Sequence, residues 1–472
     1  MQATTADAFN LLMEGSLALA QMESAGIRID VNYLDRVIAE TGERIKKLQD
    51  ELRADPLYAK WRRKFGDKTN LGSREQLGKM LFDVLELPYR ANFTNTGRYR
   101  TDDDVLLGID LPFVKTYTQL EDLKKLKSTF LEGIRREEVD GYLHPVFNLH
   151  LVETYRSSSD SINFQNLPIR DAEMGKTVRQ CFIPRKGRVL VEIDYVGIEV
   201  RVSACYNKDP VLIEYIKDPT KDMHRDMAAQ CYKLEPEQVS KQTRYVAKNQ
   251  YVFPQFYGSV YFQCAPALWE AIERYKLETA DGLSLRKHLR RCGIKELGTC
   301  DPKFDPVPGT FEHHVREVER DFWGNRFCIY AQWKRSWYDR YLRAGEFEML
   351  TGFRCSGVYR RNEVLNFAVQ GSAFHCLLWS LIRIQKELTK RQMKTKLVGQ
   401  IHDSLITDVP IIEVQDYIRL AERIMTRELP KAWKWLCVPL EIEVEVSPSG
   451  ETWFDKVQWL KQGGVWQPKE QN

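Results

Sequence analysis

Two aspartates far apart in the chain sit in similar surroundings. Asp194 follows the apolar residues Val189, Leu190, Val191 and Ile193 in VLVEIDYVGIEVRV (189–202), and Asp403 follows Leu397, Val398 and Ile401 in KLVGQIHDSLITDV (396–409). Each segment reads as a β-strand that runs up to one acid at its polar end, as strands of a buried sheet require. Two carboxylates at one sheet edge are hard oxygen ligands. Such a pair suits Mg²⁺, which takes few protein carboxylates and fills its shell with substrate phosphates. One aspartate at a strand end is ordinarily a turn residue, so the pair gains its meaning from what lies between.

Between them runs TRYVAKNQYVFPQFYGS (243–259), in which Arg244 and Lys248 are four apart and share a helix face, followed by Phe253, Phe256 and Tyr257. Cations followed by flat rings suit a nucleotide, with charge for its triphosphate and a ring for its base. An Arg and a Lys at this spacing are otherwise a solvated face. The order acid, cation–aromatic helix, acid is far more specific than any of its parts.

In that order, DYVGIEVRV, RYVAKNQYVFPQFYG and QIHDS resemble motifs A, B and C of the family A, DNA polymerase I-like DNA polymerases. The resemblance continues, in family order, through GIRIDVNYL (26–34), NLGSREQLGKMLFDVLELP (70–88), LKKLKSTF (123–130), YRSSSDSINFQNLPIR (155–170), DMHRDMA (222–228), NFAVQGSA (366–373) and PLEIEVEV (439–446). It covers nearly the whole chain. It implies a mixed α+β right-hand fold with an antiparallel-sheet palm and a helical thumb and fingers. The implied activity is template-directed addition of dNTPs to a primer 3′-hydroxyl by two-metal phosphoryl transfer, in replication or repair.

By the same resemblance, Asp194 and Asp403 bridge two Mg²⁺ ions and the Tyr195 carbonyl completes a metal shell. Arg244, Lys248 and His224 hold the triphosphate, Phe253 stacks on the base, and Glu199 sits against the sugar C2′, with Tyr257 as its hydrogen-bond partner. Arg156, Asn163, Gln165, Asn166, Asn366 and Gln370 track the minor groove, whose acceptors are common to every base pair. His402 meets the primer terminus, and Lys127, Ser128 and Thr129 contact the duplex from the base of the thumb.

Composition is permissive: 43% of the 472 residues are hydrophobic and 29% charged, enough for globular structure in two to four units. A net charge of only +4 would not by itself announce a nucleic-acid partner, but Lys60, Arg62, Arg63 and Lys64, then Lys124, Lys125 and Lys127, then Arg286, Lys287, Arg290 and Arg291 form local basic stripes. Ten cysteines without a C-x-x-C pair, and an N-terminus with neither a basic start nor a long apolar core, lead us to expect reduced thiols, a cytoplasmic setting in a bacterium or phage-infected host, and no membrane span. Cys292, Cys300, His313 and His314 match no usual zinc spacing.

Along the chain, residues 10–52 read as helix interrupted at Gly26. The expected units are an N-terminal palm-associated segment (1–37), thumb (38–130), palm with motif A (131–215), fingers (216–370) and palm with motif C plus the tail (371–472). Residues 142–160 alternate as antiparallel strands, VRQCFIPRKGRVLVEID reads as a hairpin through Lys186-Gly187, and 279–311, rich in Gly, Pro and Asp, reads as a surface insertion in the fingers. With about 25 residues ahead of GIRID, no exonuclease domain is expected in this chain. A phage-encoded monomer working with a processivity factor or an exonuclease in trans fits that arrangement.

Three positions depart from the family pattern. Motif B carries one residue more than usual between Lys248 and Phe253, with Pro254 in place of glycine; a π-bulge would absorb it, and Tyr251 is the stacking ring if the register slips. Gly197 stands where glutamine is common, and Ser404 where the family generally has a third acid. Two other readings remain: a single-subunit RNA polymerase-like enzyme, which Glu199 disfavours, and a non-catalytic polymerase-derived DNA-binding subunit, which the intact acids disfavour.

Overall fold

The computed structural model describes residues 3–89, 93–94, 96–168 and 172–469. Ile169 and Arg170, the end of the YRSSSDSINFQNLPIR segment, lie outside the described residues. Helix α1 (Thr5–Ala25) begins with a reciprocal cap, the Asp7 N–H donating to Thr4 and the Thr4 N–H to Asp7, and ends at Gly26, whose φ of +63° only glycine adopts freely. Helix α2 (Val31–Ala54) restarts from the Asp30 cap, so the interruption expected at Gly26 is present. Further helices follow up to Glu137, the last of them in an unbroken helical run over 112–137.

Six antiparallel strands form the main sheet: β1 (Arg188–Tyr195), β2 (Lys396–Ile401), β3 (Ser404–Pro410), β4 (Ile442–Val446), β5 (Val457–Gln462) and β6 (Val465–Pro468). Their spatial order is β6-β5-β4-β1-β3-β2, which puts β1 between β4 and β3. Side chains alternate across a strand: Val189, Val191, Ile193 and Tyr195 are buried on one face, leaving Glu192 and Asp194 to the other. The Tyr195 hydroxyl shares a 2.8 Å hydrogen bond with Ser380 and donates to the Met425 carbonyl, tying the sheet to the helix beneath.

After β1 come α3 (Ile198–Asn207), α4 (Met223–Tyr232), α5 (Lys241–Ala247), α6 (Leu285–Arg291) and α7 (Arg361–Lys390). α7 is long and apolar enough to cross a membrane, yet 78% of its most apolar stretch is buried inside the fold, as suits a core helix. The unit boundaries drawn from sequence at 38, 130, 216 and 370 all fall inside helices, so the backbone does not break there.

Four local expectations need correction. VLVEIDYVGIEVRV is not one strand: β1 stops at Tyr195, Gly197 turns at φ +55°, and Glu199 lies in the first turn of α3. KLVGQIHDSLITDV is a hairpin rather than a strand, with His402, at φ +53°, and Asp403 at its turn. The hairpin through Lys186-Gly187 is absent, because 172–179 is helical and Phe182 makes only an isolated bridge to Ile29; both edges of β1 are already taken by β3 and β4. Residues 279–311 are more than a surface excursion, since α6 buries Leu285 and Leu289, Ile294 joins them, and Arg286 stacks 3.6 Å from the Trp269 ring centre. The residues between 142 and 160 do form short antiparallel strands, Val146–Asn148 pairing with Ser158–Asp160. No group of three or more His, Cys, Asp or Glu able to hold a metal occurs among the described residues, and His314 instead bonds the Gln230 carbonyl.

Candidate active site

The register of the sheet brings the two acids together. Ser404, first residue of β3, pairs with Asp194 of β1, so Asp403 stands immediately beyond Asp194, and the Tyr195 N–H donates to the Asp403 carbonyl at 3.3 Å. On the other side Glu443 of β4 is the direct cross-strand partner of Asp194. Burial, reinforced by Asp403, Glu192 and Glu443, pushes the Asp194 carboxyl up to about 8; burial raises Asp403 as well, opposed by its own N–H and by Arg156. Asp194 Oδ1 is buried without a hydrogen-bond partner. An unpartnered oxygen on an acid that resists ionising beside a second acid fits a divalent cation, which would satisfy both at once. Tyr195 can contribute only its main chain, because its side chain is buried against Ser380.

Glu199 faces the pair from α3. Its carboxylate accepts from the Tyr257 hydroxyl and, on its other oxygen, from the Arg156 guanidinium. Burial raises its carboxyl above the usual range, Asp403 adding to this and Arg156 opposing it. Arg156 also donates its Nε to the Gln370 carbonyl of α7. Asn366, one turn earlier on α7, lines a small cavity with Glu199, Phe253 and Tyr257, at whose back Lys334 donates to the Gln255 carbonyl at 2.9 Å.

The cationic and aromatic residues gather around Phe253. Arg244 on α5 donates to Asp222, which also caps α4 by accepting from the His224 and Arg225 N–H groups. Burial, with Arg244 and Lys248 nearby, lowers His224 to about 4, so its ring is neutral near pH 7, and its Nδ1 is buried without a partner. The His224 ring stands edge-on to Phe253 at 5.7 Å, and the Lys248 ammonium lies 5.2 Å from the Phe253 ring centre.

The extra residue of motif B is taken up by a π-helical turn over Lys248–Val252, closed by the Phe253 N–H donating to the Lys248 carbonyl. Pro254 follows at the start of the next short helix, where its missing N–H costs little. The turn sends the two candidate rings to different places. Phe253 stands with His224, Lys248 and Tyr257, whereas Tyr251 is fully buried edge-on to Phe322.

Not every expected residue meets this cluster. Gln165 is turned inward: its amide donates to Ser157 and to Gln400 Oε1, both at 2.7 Å, and Gln400 in turn donates to the His402 carbonyl. It supports the His402–Asp403 turn instead of presenting itself to a groove. Its neighbours Asn163 and Asn166 are exposed, as is His402 at the hairpin tip. Lys127, Ser128 and Thr129 lie in a π-helical turn (Leu126–Leu131) within the 112–137 helical run, Lys127 paired with Glu132 and Ser128 bonded to the Lys124 carbonyl. Sequence reasoning missed Asp222, Gln400, Lys334 and Glu443. Asp222 alone left a signal, as an aspartate opening a helix in DMHRDMA.

Comparison with known proteins agrees with this geometry. The chain is 28% identical over 454 residues to the thermostable DNA polymerase I of Thermus thermophilus and 29% identical over 454 residues to DNA polymerase I of Bacillus subtilis, covering 93% and 94% of this chain. It spans only 47% and 45% of those proteins' lengths. The POL domain of Pol1 from M. smegmatis, in complex with DNA primer-template and dNTP, superposes with a TM-score of 0.72 at 25% identity, over 93% of this chain and 70% of that one. Family A polymerases generally use divalent metal ions. The family model for DNA polymerase family A matches residues 32–277 and 354–455, passing over the stretch that holds the 279–311 segment, and the chain therefore belongs to DNA polymerase family A.

Proposed function

We propose that this chain is a template-directed DNA polymerase that adds deoxynucleotides to a primer 3′-hydroxyl. The observation that carries the reading is the pairing of Asp194 with Asp403 beside Glu199, which is bonded to Tyr257 and through it adjoins Phe253 and Lys248. The sheet and α3 act as palm, the helices from α4 to the start of α7 as fingers, and the helices between α2 and residue 137 as thumb.

In the reaction the primer 3′-oxygen attacks the α-phosphorus of the dNTP, the bond to the bridging oxygen breaks, and pyrophosphate leaves. Two Mg²⁺ ions held by Asp194, Asp403 and the Tyr195 carbonyl would supply the charge that activates the hydroxyl and offsets the phosphate oxygens. Arg244 exchanges Asp222 for the triphosphate, Lys248 gives it a second cation, and neutral His224 donates a hydrogen bond to it. Phe253 stacks on the incoming base. Glu199, held by the Tyr257 hydroxyl, stands where a 2′-hydroxyl would need room and so selects deoxyribose. When duplex enters, Arg156 turns from Glu199 to the minor groove beside Asn366.

Primer extension with Asp194→Ala and with Asp403→Ala tests the reading. Each is expected to lose at least about 10³-fold in rate while keeping primer–template affinity within a few fold. Wild-type rates in either variant would remove the acids from the chemistry.

A further inference from the structure

Away from the nucleotide cleft, two thiols meet where α3 passes the approach to β4. Cys205 lies in the last turn of α3 and is 2% exposed, whereas Cys437 is exposed five residues before β4. Their sulfurs are 3.7 Å apart, and the Cys437 N–H donates to Cys205 Sγ at 3.4 Å. All ten cysteines of the chain are free. Disulfide formation needs the sulfurs at about 2.05 Å, so bonding would draw together two atoms already in contact.

The two thiols differ in character. The hydrogen bond shared with Cys205, together with the Lys208 and Lys217 ammonium groups, lowers Cys437 to about 6 despite its partial burial; the same bond and burial raise Cys205. An exposed thiolate among cations is the group that attacks an oxidant, and a buried neighbouring thiol is the group that resolves it.

We propose that Cys437 and Cys205 form a reversible redox pair, in which a hydroperoxide oxidises Cys437 and Cys205 closes a disulfide linking α3 to the segment that leads into β4. The Cys437 sulfur attacks one peroxide oxygen and the O–O bond breaks, leaving a sulfenic acid and, with hydrogen peroxide, one water. Cys205 gives up its proton and its sulfur attacks Cys437 Sγ; the S–O bond breaks and the oxygen leaves as a second water. Two thiols lose two electrons in all, and the peroxide gains them. A thiol reductant reverses the change. The link would join the helix carrying Glu199 to the strand that pairs with Asp194.

The full chain treated with hydrogen peroxide should lose about 2 Da and yield a non-reduced proteolytic fragment joining the Cys205 and Cys437 peptides, both changes reversed by dithiothreitol. The oxidised form should also melt at a higher temperature. Cys205→Ala should stop at a dimedone-trappable sulfenic acid on Cys437, and Cys437→Ser should show neither product. Because Cys437 is exposed, its serine variant keeps the test valid should Cys205→Ala fold poorly. Absence of the joined fragment, its persistence in Cys437→Ser, or direct overoxidation of Cys437 in the unmutated chain would overturn the pair.

Discussion

Asp194 and Asp403 pose a residue-scale problem that the bare protein cannot solve: two half-buried acids side by side, one with an unpartnered oxygen. The raised carboxyls make the consequence testable. The folded state holds its Asp194 proton to about pH 8, whereas the unfolded chain releases it near 4, so this group's contribution to stability falls as pH rises across that window. Metal-free Asp194→Asn should therefore melt on the order of 2–4 °C above the unmutated chain at pH 8 and no higher at pH 4, as scanning calorimetry in EDTA would read. Glu199 makes a different prediction. Glu199→Ala should raise ribonucleotide insertion relative to deoxynucleotide by about tenfold or more in single-nucleotide extension, equivalent to roughly 1.4 kcal/mol of lost discrimination. Unchanged discrimination would remove the carboxylate from the sugar's path. Ser404, side by side with Asp194 and Glu443 across three strands, shows that the missing motif C acid leaves a carboxylate elsewhere on the same sheet face.

At the scale of elements, the π-turn at Lys248–Val252 decides which aromatic stands beside His224 and Lys248. One extra residue in an α-helix would rotate every later side chain by about 100°, and the wide turn absorbs it so that Phe253 keeps the site face while Tyr251 enters the core. The two substitutions should separate cleanly. Phe253→Ala should raise the dNTP KM roughly fivefold to a hundredfold with little change in melting, since stacking on a base is worth about 1–3 kcal/mol. Tyr251→Ala should instead destabilise the fold by about 3 kcal/mol or more, as loss of a buried ring does. The pattern reversed would place Tyr251 in the nucleotide site. The hairpin that carries Asp403 depends on a quieter element, the Ser157–Gln165–Gln400 network beneath its turn.

For the whole molecule, charge is local instead of global. A net +4 spread evenly would bind nucleic acid weakly, yet Lys124, Lys125 and Lys127 sit on one helical run, and Arg244 and Lys248 on another. Binding to primer–template should therefore be strongly salt dependent, with affinity falling about 10³-fold or more between 50 and 200 mM salt by fluorescence anisotropy. A slope near zero would mean that these clusters do not meet the phosphate backbone.

The sequence by itself determined the family and the mixed α+β class, and it singled out the two acids that the sheet register brings together, because the family's motifs carry particular residue types in a particular order. It also foresaw a bulge in motif B, since an extra residue in a helix has few places to go. It misjudged the ends of β1, the hairpin at Asp403 and the strand before Gly187, where strand-like stretches are terminated by positive-φ residues or denied a partner. Tertiary structure alone decided that Gln165 turns inward, that Asp222 holds Arg244, and that Glu443 and Ser404 flank Asp194. Those are pairings between distant segments, set by strand register and helix packing, and no local pattern encodes them.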